Sequence, residues 1–463
     1  MRQLEEAGGS AVIAGSATMS RYRARAALVF SGATAIALVH ALDDAFLNRQ
    51  PGVGADEHTL AALMALTIGL AGVIAFPHLR PGLRAGLALV FGILALVNGA
   101  LHIAHIGVEG VAESDLSGGL AAAAGLVLIG LGLSIPWRHR GEGAATRPRR
   151  WGYRLVAVLG GAIVVYAFLY PVCFALVQTH AFREPIGDPP SAAYKPSTFA
   201  ASDGLELSGW YRTSQNGAAI ILVHGGGSDR TGSRTHAELL ARHGYGVLLY
   251  DSRGRGESEG SPNGAGWDWD KDVAGALAFL AEREDVDPDR IGALGLSTGA
   301  NVLLEVAAER KDLSAVVADG AGMRSCDDFL ALDGGAVWLG APVFCTMFAA
   351  SRVFSGSSPG KPLEDLVARI APTPLPLIAG GRGQFERDFN LIYEKAAREP
   401  VELWDLPDVN HTKAINERPA QYEQRVVGFF DRALVAGGGS AAPSALALQS
   451  PRPSQSTRNR RYP

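Results

Sequence analysis

Two short segments, far apart in the chain, carry residue types that together could perform nucleophilic catalysis. Gly295-Leu296-Ser297-Thr298-Gly299 fits the pattern G-x-S-x-G and lies between an apolar run and a stretch with helical periodicity. That context predicts a strained turn between a strand and a helix, from which the serine hydroxyl projects. His411 follows the last predicted strand, where its imidazole could act as a general base. Ser297 and His411 are therefore the candidate nucleophile and base.

The carboxylate that would orient the imidazole has three candidates. The loop after the predicted strand Leu375–Ala379 contains Glu386 and Asp388, and Asp319 ends the predicted strand Leu313–Ala318. The role requires only a carboxylate that orients and stabilises the imidazole, so the residue types alone do not decide. Glu386 is the preferred acid, and Asp388 and Asp319 are the alternatives.

A glycine-rich loop, His224-Gly225-Gly226-Gly227, follows the predicted strand Ala218–Val223. A tetrahedral oxyanion needs backbone N–H donors that already point at it, and glycine permits the close approach. We expect Gly226 and Thr298 to supply those donors, with His224 packed beneath the loop. The loop lacks the G-x-x-x-x-G-K-[ST] pattern, which disfavours phosphate binding.

The elements that must position these residues alternate between strands and helices. Such alternation predicts a doubly wound, mostly parallel sheet that helices cover on both faces, which is the α/β class. The predicted boundaries are a Pro-rich linker over 181–204, an α/β domain over 205–436 with a cap insertion at about 320–372, and a disordered tail over 437–463.

Residues 205–434 resemble the α/β-hydrolase fold superfamily. Besides the serine turn and the His-Gly loop, the segment from Asp251 to Ser258 matches the D-x-R-G-x-G-x-S turn that braces the active-site loops in that superfamily. The resemblance implies the chain order serine, acid, histidine, and is strongest to bacterial membrane-anchored hydrolases of the serine aminopeptidase or dienelactone-hydrolase type. The sequence departs from the family pattern at two places. Asn410 stands where a glycine usually precedes the catalytic histidine, and the loop after the predicted strand Leu375–Ala379 lacks the aspartate that usually comes three residues after a glycine.

The first half of the chain has a different composition. Over the whole chain, charged residues make up 19% and apolar residues 48%, and the apolar excess is concentrated in the first 180 residues. A helix needs about 20 apolar residues to cross a bilayer. Five runs approach that length and predict an all-α bundle of about five transmembrane helices over residues 26–180, at 26–44, 59–79, 83–106, 116–136 and 153–178. The net charge of -4 provides no global basic field for nucleic acid.

The flanking arginines predict how these helices are oriented. Cations near helix ends tend to stay in the cytoplasm. Eleven arginines would share one side: Arg2, Arg21, Arg23, Arg25, Arg80, Arg84, Arg138, Arg140, Arg147, Arg149 and Arg150. We therefore expect a multi-pass protein of the cell membrane with residues 1–25 as a cytoplasmic tail and the hydrolase domain on the extracytoplasmic side.

Several ionisable residues fall at the predicted outer boundary of the helices: His40, Asp43, Asp44, His58, His102, His105 and Glu109. Imidazole and carboxylate together suit a first-row transition metal. Polar groups are nevertheless well tolerated at a membrane boundary. The preferred interpretation is therefore a set of interfacial side chains, and the sequence assigns neither a metal nor a cofactor.

The cap insertion contains large apolar residues and two cysteines. The apolar residues would form a pocket wall or the cap's own core: Trp338, Phe344, Met347, Phe348 and Phe354. If the domain lies in an oxidising compartment, Cys326 and Cys345 could pair and close the cap.

The leading hypothesis is a membrane-embedded serine hydrolase that cleaves an ester, amide or peptide bond through an acyl-enzyme on Ser297. Its expected partners are a small-molecule or lipid-like substrate and the bilayer. The alternative is a transport or sensing protein whose hydrolase-like outer domain only binds a ligand.

Overall fold

The computed structural model describes residues 2–48, 53–54, 57–109, 113–138, 155, 158–180, 186–382 and 385–436. The predicted disordered tail over 437–463 lies outside these residues. The described chain consists of a helical half and a half built on one sheet.

The helical half contains long apolar helices. They are α1 (Arg2–Leu42), α2 (Thr59–Ala75), α3 (Pro81–Glu109), α4 (Glu113–Arg138) and α5 (Val158–Thr179). Helices α3 and α4 approach so closely that a Cβ atom on Gly125 would lie 2.7 Å from the backbone oxygen of Gly92. Small residues allow such contact where little apolar burial drives association. The predicted tail is not a separate element, because α1 already begins at Arg2.

Six described segments are long and apolar enough to cross a membrane. Five of them correspond to the predicted runs: Arg21–Leu47, Thr59–His78, Pro81–Ile106, Asp115–Pro136 and Val158–Thr179. The sixth, Val337–Ser355, lies in the cap insertion and was not expected to have this character. Its Ala, Gly and Phe content had suggested only a pocket wall or a cap core.

The second half is built on an eight-stranded sheet with the order β1-β2-β4-β3-β5-β6-β7-β8. The strands are β1 (Lys195–Ala200), β2 (Glu206–Arg212), β3 (Ala219–Val223), β4 (Gly246–Tyr250), β5 (Ile291–Leu296), β6 (Ala315–Asp319), β7 (Leu375–Gly380) and β8 (Val401–Leu406). Strands β1 and β2 are antiparallel to their neighbours, and the pairs from β4 to β8 are parallel. The predicted linker over 181–204 is therefore wrong in its second part, which contributes an edge strand.

Helices cover both faces of this sheet. They are α6 (Arg234–Arg242), α7 (Trp269–Ala281), α8 (Thr298–Glu309) and α12 (Glu386–Ala396), followed by the C-terminal helical segments Ala414–Glu417, Pro419–Tyr422, Glu423–Val427, Gly428–Phe430 and Asp431–Ala436. Strands β3, β4, β5 and β6 are buried at every position. Strands buried on both faces read as continuous apolar runs, which is why the sequence predicted them well.

The cap insertion contains three helices, α9 (Cys326–Leu330), α10 (Gly335–Ser355) and α11 (Leu363–Val367). Cys326 and Cys345 form a disulfide that joins α9 to α10. Helix α10 runs beside α5, and the Tyr166 hydroxyl donates a 2.9 Å hydrogen bond to the carbonyl oxygen of Leu339. The cap thus contacts the helical half directly.

The large apolar residues of the cap are divided among different surroundings. Phe344 lies 4.5 Å, centroid to centroid, from Phe329 of α9, and Phe348 is buried near Trp267. Trp338 is 81% exposed, so for this residue both earlier interpretations, pocket wall and cap core, are wrong. Phe354 packs against His180 at the end of the helical half.

Candidate active site

Ser297 occupies the turn between β5 and α8, where the G-x-S-x-G pattern predicted a strained residue. Its backbone has φ 55° and ψ -118°, an unusual conformation for a residue with a side chain. The Ser297 N–H donates to the carbonyl oxygen of Asp319 at 2.8 Å, which ties the turn to the end of β6. The strain and the position predicted from the motif are both present.

The two motif glycines allow this turn because no side chain fits at either position. A Cβ atom on Gly295 would lie 2.4 Å from the carbonyl oxygen of Gly299. A Cβ atom on Gly299 would lie 2.3 Å from the carbonyl oxygen of Val223 in β3. The start of α8 can therefore lie directly on the strands, and the Ser297 hydroxyl projects from the carboxyl end of the sheet.

Ser297, His411 and Glu386 form a continuous hydrogen-bonded chain. His411 Nε2 lies 2.9 Å from Ser297 Oγ, and His411 Nδ1 lies 2.6 Å from Glu386 Oε2. The other carboxylate oxygen of Glu386 accepts a 2.6 Å hydrogen bond from the Gly380 N–H, and Glu386 is 4% exposed. A buried carboxylate that holds the imidazole in this way can orient the ring and stabilise its charged form.

The two alternative acids do not hold the imidazole. Asp388 is on the exposed side of α12. Asp319 is buried and accepts a 3.0 Å hydrogen bond from the Tyr422 hydroxyl. Burial raises the pKa of Asp319 to about 7, with a smaller contribution from the nearby Glu386. Asp319 therefore belongs to the wall behind the site.

Local backbone conformations aim the acid and the base at each other. Glu386 begins α12, and the preceding residue, Phe385, has φ 65°. After β8, the unusual angle falls on Thr412, with φ 51°. Asn410, which stands where the family usually has glycine, does not have a positive φ, and its side-chain amide donates to Glu417.

The hydrogen bond that His411 Nδ1–H donates to Glu386 alters the acid–base behaviour of His411. It raises the pKa of His411 above 6.5, because a carboxylate partner favours the imidazolium, and burial opposes the shift. An imidazole whose charged form is favoured is a stronger proton acceptor from a hydroxyl at its other nitrogen. The arrangement is thus suited to general-base chemistry.

The glycine-rich loop lies beside the serine turn, as the sequence predicted. A Cβ atom on Gly225 would lie 3.4 Å from Ser297 Cβ, and one on Gly226 would lie 2.6 Å from Thr298 Oγ1. The Gly226 and Thr298 backbones, the two expected oxyanion donors, are thus brought into one neighbourhood. His224 is fully buried and accepts a 3.0 Å hydrogen bond from the Ser252 N–H, so its expected packing role is confirmed.

The turn from Asp251 to Ser258 braces these loops from below. The buried Asp251 carboxylate accepts hydrogen bonds from the Arg230 backbone at 2.8 Å and from the Arg230 guanidinium at 2.7 Å. The Ser258 hydroxyl donates to the Asp251 carbonyl oxygen at 2.6 Å. Arg230 was not identified from the sequence, because a single arginine in a loop gives no signal of its long-range partner.

The loop beyond this turn connects the serine turn to the helical half. The Thr298 hydroxyl donates to the carbonyl oxygen of Gly264 at 3.2 Å. A Cβ atom on Gly264 would lie 2.6 Å from Gln178 Oε1 at the end of α5. The Ser261 hydroxyl donates to Glu57 Oε2, just before α2, at 3.0 Å. The candidate site therefore lies close to the start of α2 and the end of α5.

Comparisons with known proteins identify several relatives of this chain. The sequence model of the X-Pro dipeptidyl-peptidase family (S15 family) matches residues 203–375. The uncharacterized protein YfhR of Salmonella typhi is 28% identical over 291 residues, which cover 58% of this chain and 94% of that protein. The Pyrococcus furiosus esterase Pf2001 is 26% identical, covering 55% of this chain and 97% of the esterase, with a TM-score of 0.44.

The sheet order, the serine turn and the family match define the class of the second half. The second half of the chain has the α/β-hydrolase fold. The match to the S15 family model supports a hydrolase function.

Proposed function

We propose that this protein is a serine hydrolase that forms an acyl-enzyme on Ser297. His411 takes the hydroxyl proton as Ser297 Oγ attacks the substrate carbonyl, and Glu386 stabilises the resulting imidazolium. The N–H groups of Gly226 and Thr298 stabilise the oxyanion. His411 then protonates the leaving alcohol or amine, and a water molecule, deprotonated by the same imidazole, releases the acid.

The continuous contact from Ser297 Oγ through the His411 ring to Glu386 carries this proposal, with distances of 2.9 Å and 2.6 Å. A domain that only binds a ligand has no need for a strained serine with φ 55° beside an imidazole held by a buried carboxylate. These observations favour catalysis over the transport or sensing alternative.

We also propose that the enzyme is embedded in the membrane and acts on amphiphilic substrates. The support is the cap helix α10, whose exposed Trp338 and Leu339 lie beside the apolar helix α5. Tryptophan next to apolar residues is typical of the membrane interface. A cap that contacts both the bilayer and the site would admit an ester or amide with an acyl chain directly from the lipid.

The disulfide supports an extracytoplasmic position for the hydrolase domain. Disulfides persist mainly in oxidising compartments, and Cys326 and Cys345 are joined. The arginine distribution favours the same side. A C-terminal alkaline phosphatase fusion should be active in whole cells, whereas a fusion after Ile135, beyond four spans, should be inactive; the reverse pattern would contradict the orientation.

The hydrolytic proposal is tested by a chain-length series of p-nitrophenyl esters and aminoacyl amides, assayed with the full chain in nanodiscs. We expect turnover by the native protein and loss of turnover in Ser297→Ala. Ser197→Ala, at a half-buried serine on edge strand β1, is the matched control and should retain full activity. Equal hydrolysis by native protein and Ser297→Ala would refute the proposal.

A further inference from the structure

A second assembly of histidines and carboxylates lies in the helical half, away from Ser297. His40 of α1, Asp44 just after it and His102 of α3 each offer one ligand atom, and these atoms lie within 4.8 Å of one another. His40 and His102 are only 1% and 4% exposed. The earlier interpretation as side chains facing water or headgroups is therefore wrong for these two residues.

The spacing of the ligand atoms suits a small cation. His40 Nε2 and His102 Nε2 each lie 3.4 Å from Asp44 Oδ2. Tetrahedral zinc with bonds of about 2.0–2.1 Å separates its ligand atoms by about 3.3 Å. Both contacts match that separation, which is longer than most N–H···O hydrogen bonds.

The His40 ring supplies an independent indication. Its Nε2 atom is buried and has no hydrogen-bond partner among the described residues. Its other nitrogen, Nδ1, lies 3.0 Å from the Ser117 hydroxyl, which donates to Asp43 Oδ2 at 2.5 Å. A buried ring nitrogen that is left unpaired and aimed at a carboxylate is costly unless a ligand occupies the space between them.

The ring of His102, like that of His40, is held by a contact at its Nδ1 atom. Its Nδ1 atom lies 3.2 Å from the buried carboxylate of Asp115 in α4. Histidines that bind metals usually contact a carboxylate, carbonyl or hydroxyl through the nitrogen that is not a ligand, and this contact fixes the ring. Both histidines have such a partner, so both Nε2 atoms are directed at one point.

We propose that His40, Asp44 and His102 bind one divalent transition-metal ion, and that the ion is zinc. Two imidazoles and one carboxylate are a donor set that zinc favours. Asp44 and His102 also line a cavity shared with His58, His180 and the loop residue Ser261 of the hydrolase domain. A fourth coordination position facing this cavity would hold water.

The test is metal binding by the full chain, purified in detergent with a tag that contains no histidine. The protein is stripped with EDTA, dialysed against Zn²⁺ and analysed by mass spectrometry for metal content. We expect about one tightly bound zinc per chain. Cobalt in place of zinc should produce the intense visible absorption of a low-symmetry site with few ligands.

Variants locate the site. His40→Ala and Asp44→Asn should each lower the affinity for Zn²⁺ at least roughly tenfold and remove the cobalt absorption. Asp44→Asn preserves the shape of the side chain, so loss of binding in a variant that still elutes as a monodisperse species cannot be attributed to misfolding. His78→Ala, an exposed histidine at the other end of α2, is the control and should bind like the native protein.

Two results would overturn the inference. One is a native protein that binds no zinc or cobalt after stripping and dialysis. The other is binding that survives in His40→Ala and Asp44→Asn alike. Either outcome would leave the cluster as a hydrogen-bonding network between α1, α3 and α4. Neither outcome affects the proposal for Ser297, because metal content is measured without reference to hydrolysis.

Discussion

The protein places a histidine between two partners at two sites, and the partners differ. At the sheet, His411 lies between the Glu386 carboxylate and the Ser297 hydroxyl. In the helical half, His102 lies between the carboxylates of Asp115 and Asp44, and the Nε2 atom of His40 points at the same Asp44 oxygen. A hydroxyl opposite the carboxylate allows proton transfer from a nucleophile, whereas converging imidazole and carboxylate groups allow cation binding.

The backbones around the two sites differ as well. The Ser297 site is assembled from three loops at the ends of β5, β7 and β8, with unusual backbone angles at Ser297, Phe385 and Thr412. The His40 site is assembled from side chains on helices α1, α3 and α4. Loops on a rigid sheet permit strain that presents a reactive group, whereas packed helices supply fixed ligands.

The largest effect should follow from removal of the imidazole at the sheet. His411→Ala should lower kcat for a short-chain ester by roughly ten-thousand-fold or more, because the general base is lost. Steady-state kinetics on the full chain measure this change. His243→Ala is the matched control, since His243 pairs with Glu423 at the surface. Comparable losses in both variants would show that His411 has no special role.

Replacement of the carboxylate should have the next largest effect. Glu386→Gln should lower kcat by about 10²- to 10⁴-fold, because the imidazolium loses its stabilising charge. Asp388→Asn should change kcat little, because Asp388 is exposed. Asp319→Asn should also change kcat little, because the Asp319 carboxyl group contacts Tyr422 and not the imidazole. If Asp319→Asn were the more damaging change, the acid would have been assigned wrongly.

The pH profile should reveal the coupling between Glu386 and His411. The base acts only when neutral, and its pKa is raised above 6.5, so kcat/KM should fall as the pH drops through that raised pKa. In Glu386→Gln the neutral amide no longer favours the imidazolium, so the acid limb should move to lower pH. If the acid limb of the Glu386→Gln profile lay at the same pH as in the native protein, Glu386 would not control the pKa of His411.

Loss of the cap disulfide should have a moderate effect on stability. The bridge joins cysteines separated by 19 residues. Closing a loop of this size stabilises a protein by about 3 kcal/mol in the chain-entropy account. The double variant Cys326→Ser/Cys345→Ser should therefore unfold at lower denaturant concentration, measured by tryptophan fluorescence, while Cys173→Ser serves as the control. Equal midpoints would contradict a stabilising cap bridge.

Metal removal should have the smallest effect on hydrolysis. Stripping with EDTA should change kcat/KM for a short-chain ester by less than about twofold, because proton transfer at Ser297 needs only His411 and Glu386. The same treatment should empty the site at His40 and His102. If EDTA instead abolished most of the hydrolysis and added zinc restored it, hydrolysis at Ser297 would depend on the metal site.

The sequence predicted the hydrolase domain well because its signals are local. Continuous apolar runs indicated β3 to β7, and G-x-S-x-G together with a late histidine located Ser297 and His411. Edge strand β1 was missed because its residues, Lys195–Ala200, are mostly exposed and carry no strong periodicity. Glu386 was the preferred acid, but the sequence left Asp388 and Asp319 open, because the contacts of Glu386 with His411 and of Asp319 with Tyr422 join residues that are distant in the chain.

The helical half was predicted in outline but not in its contacts. The length and composition of the apolar runs located the five long helices, because a run long enough to cross a bilayer is also long enough to form such a helix. The burial of His40 and His102 was not predicted, because their partners Ser117 and Asp115 lie on another helix, α4, and only the packing of the helices brings them together. Cap helix α10 escaped notice as a candidate span because it is embedded in the hydrolase sequence.

Covalent labelling will show whether Ser297 is the nucleophile. The full chain in nanodiscs is treated with a fluorophosphonate probe, digested, and analysed by peptide mass spectrometry. We predict one adduct on Ser297, which disappears in Ser297→Ala and is greatly slowed in His411→Ala. An adduct on another serine, or equal labelling of Ser297→Ala, would contradict the account.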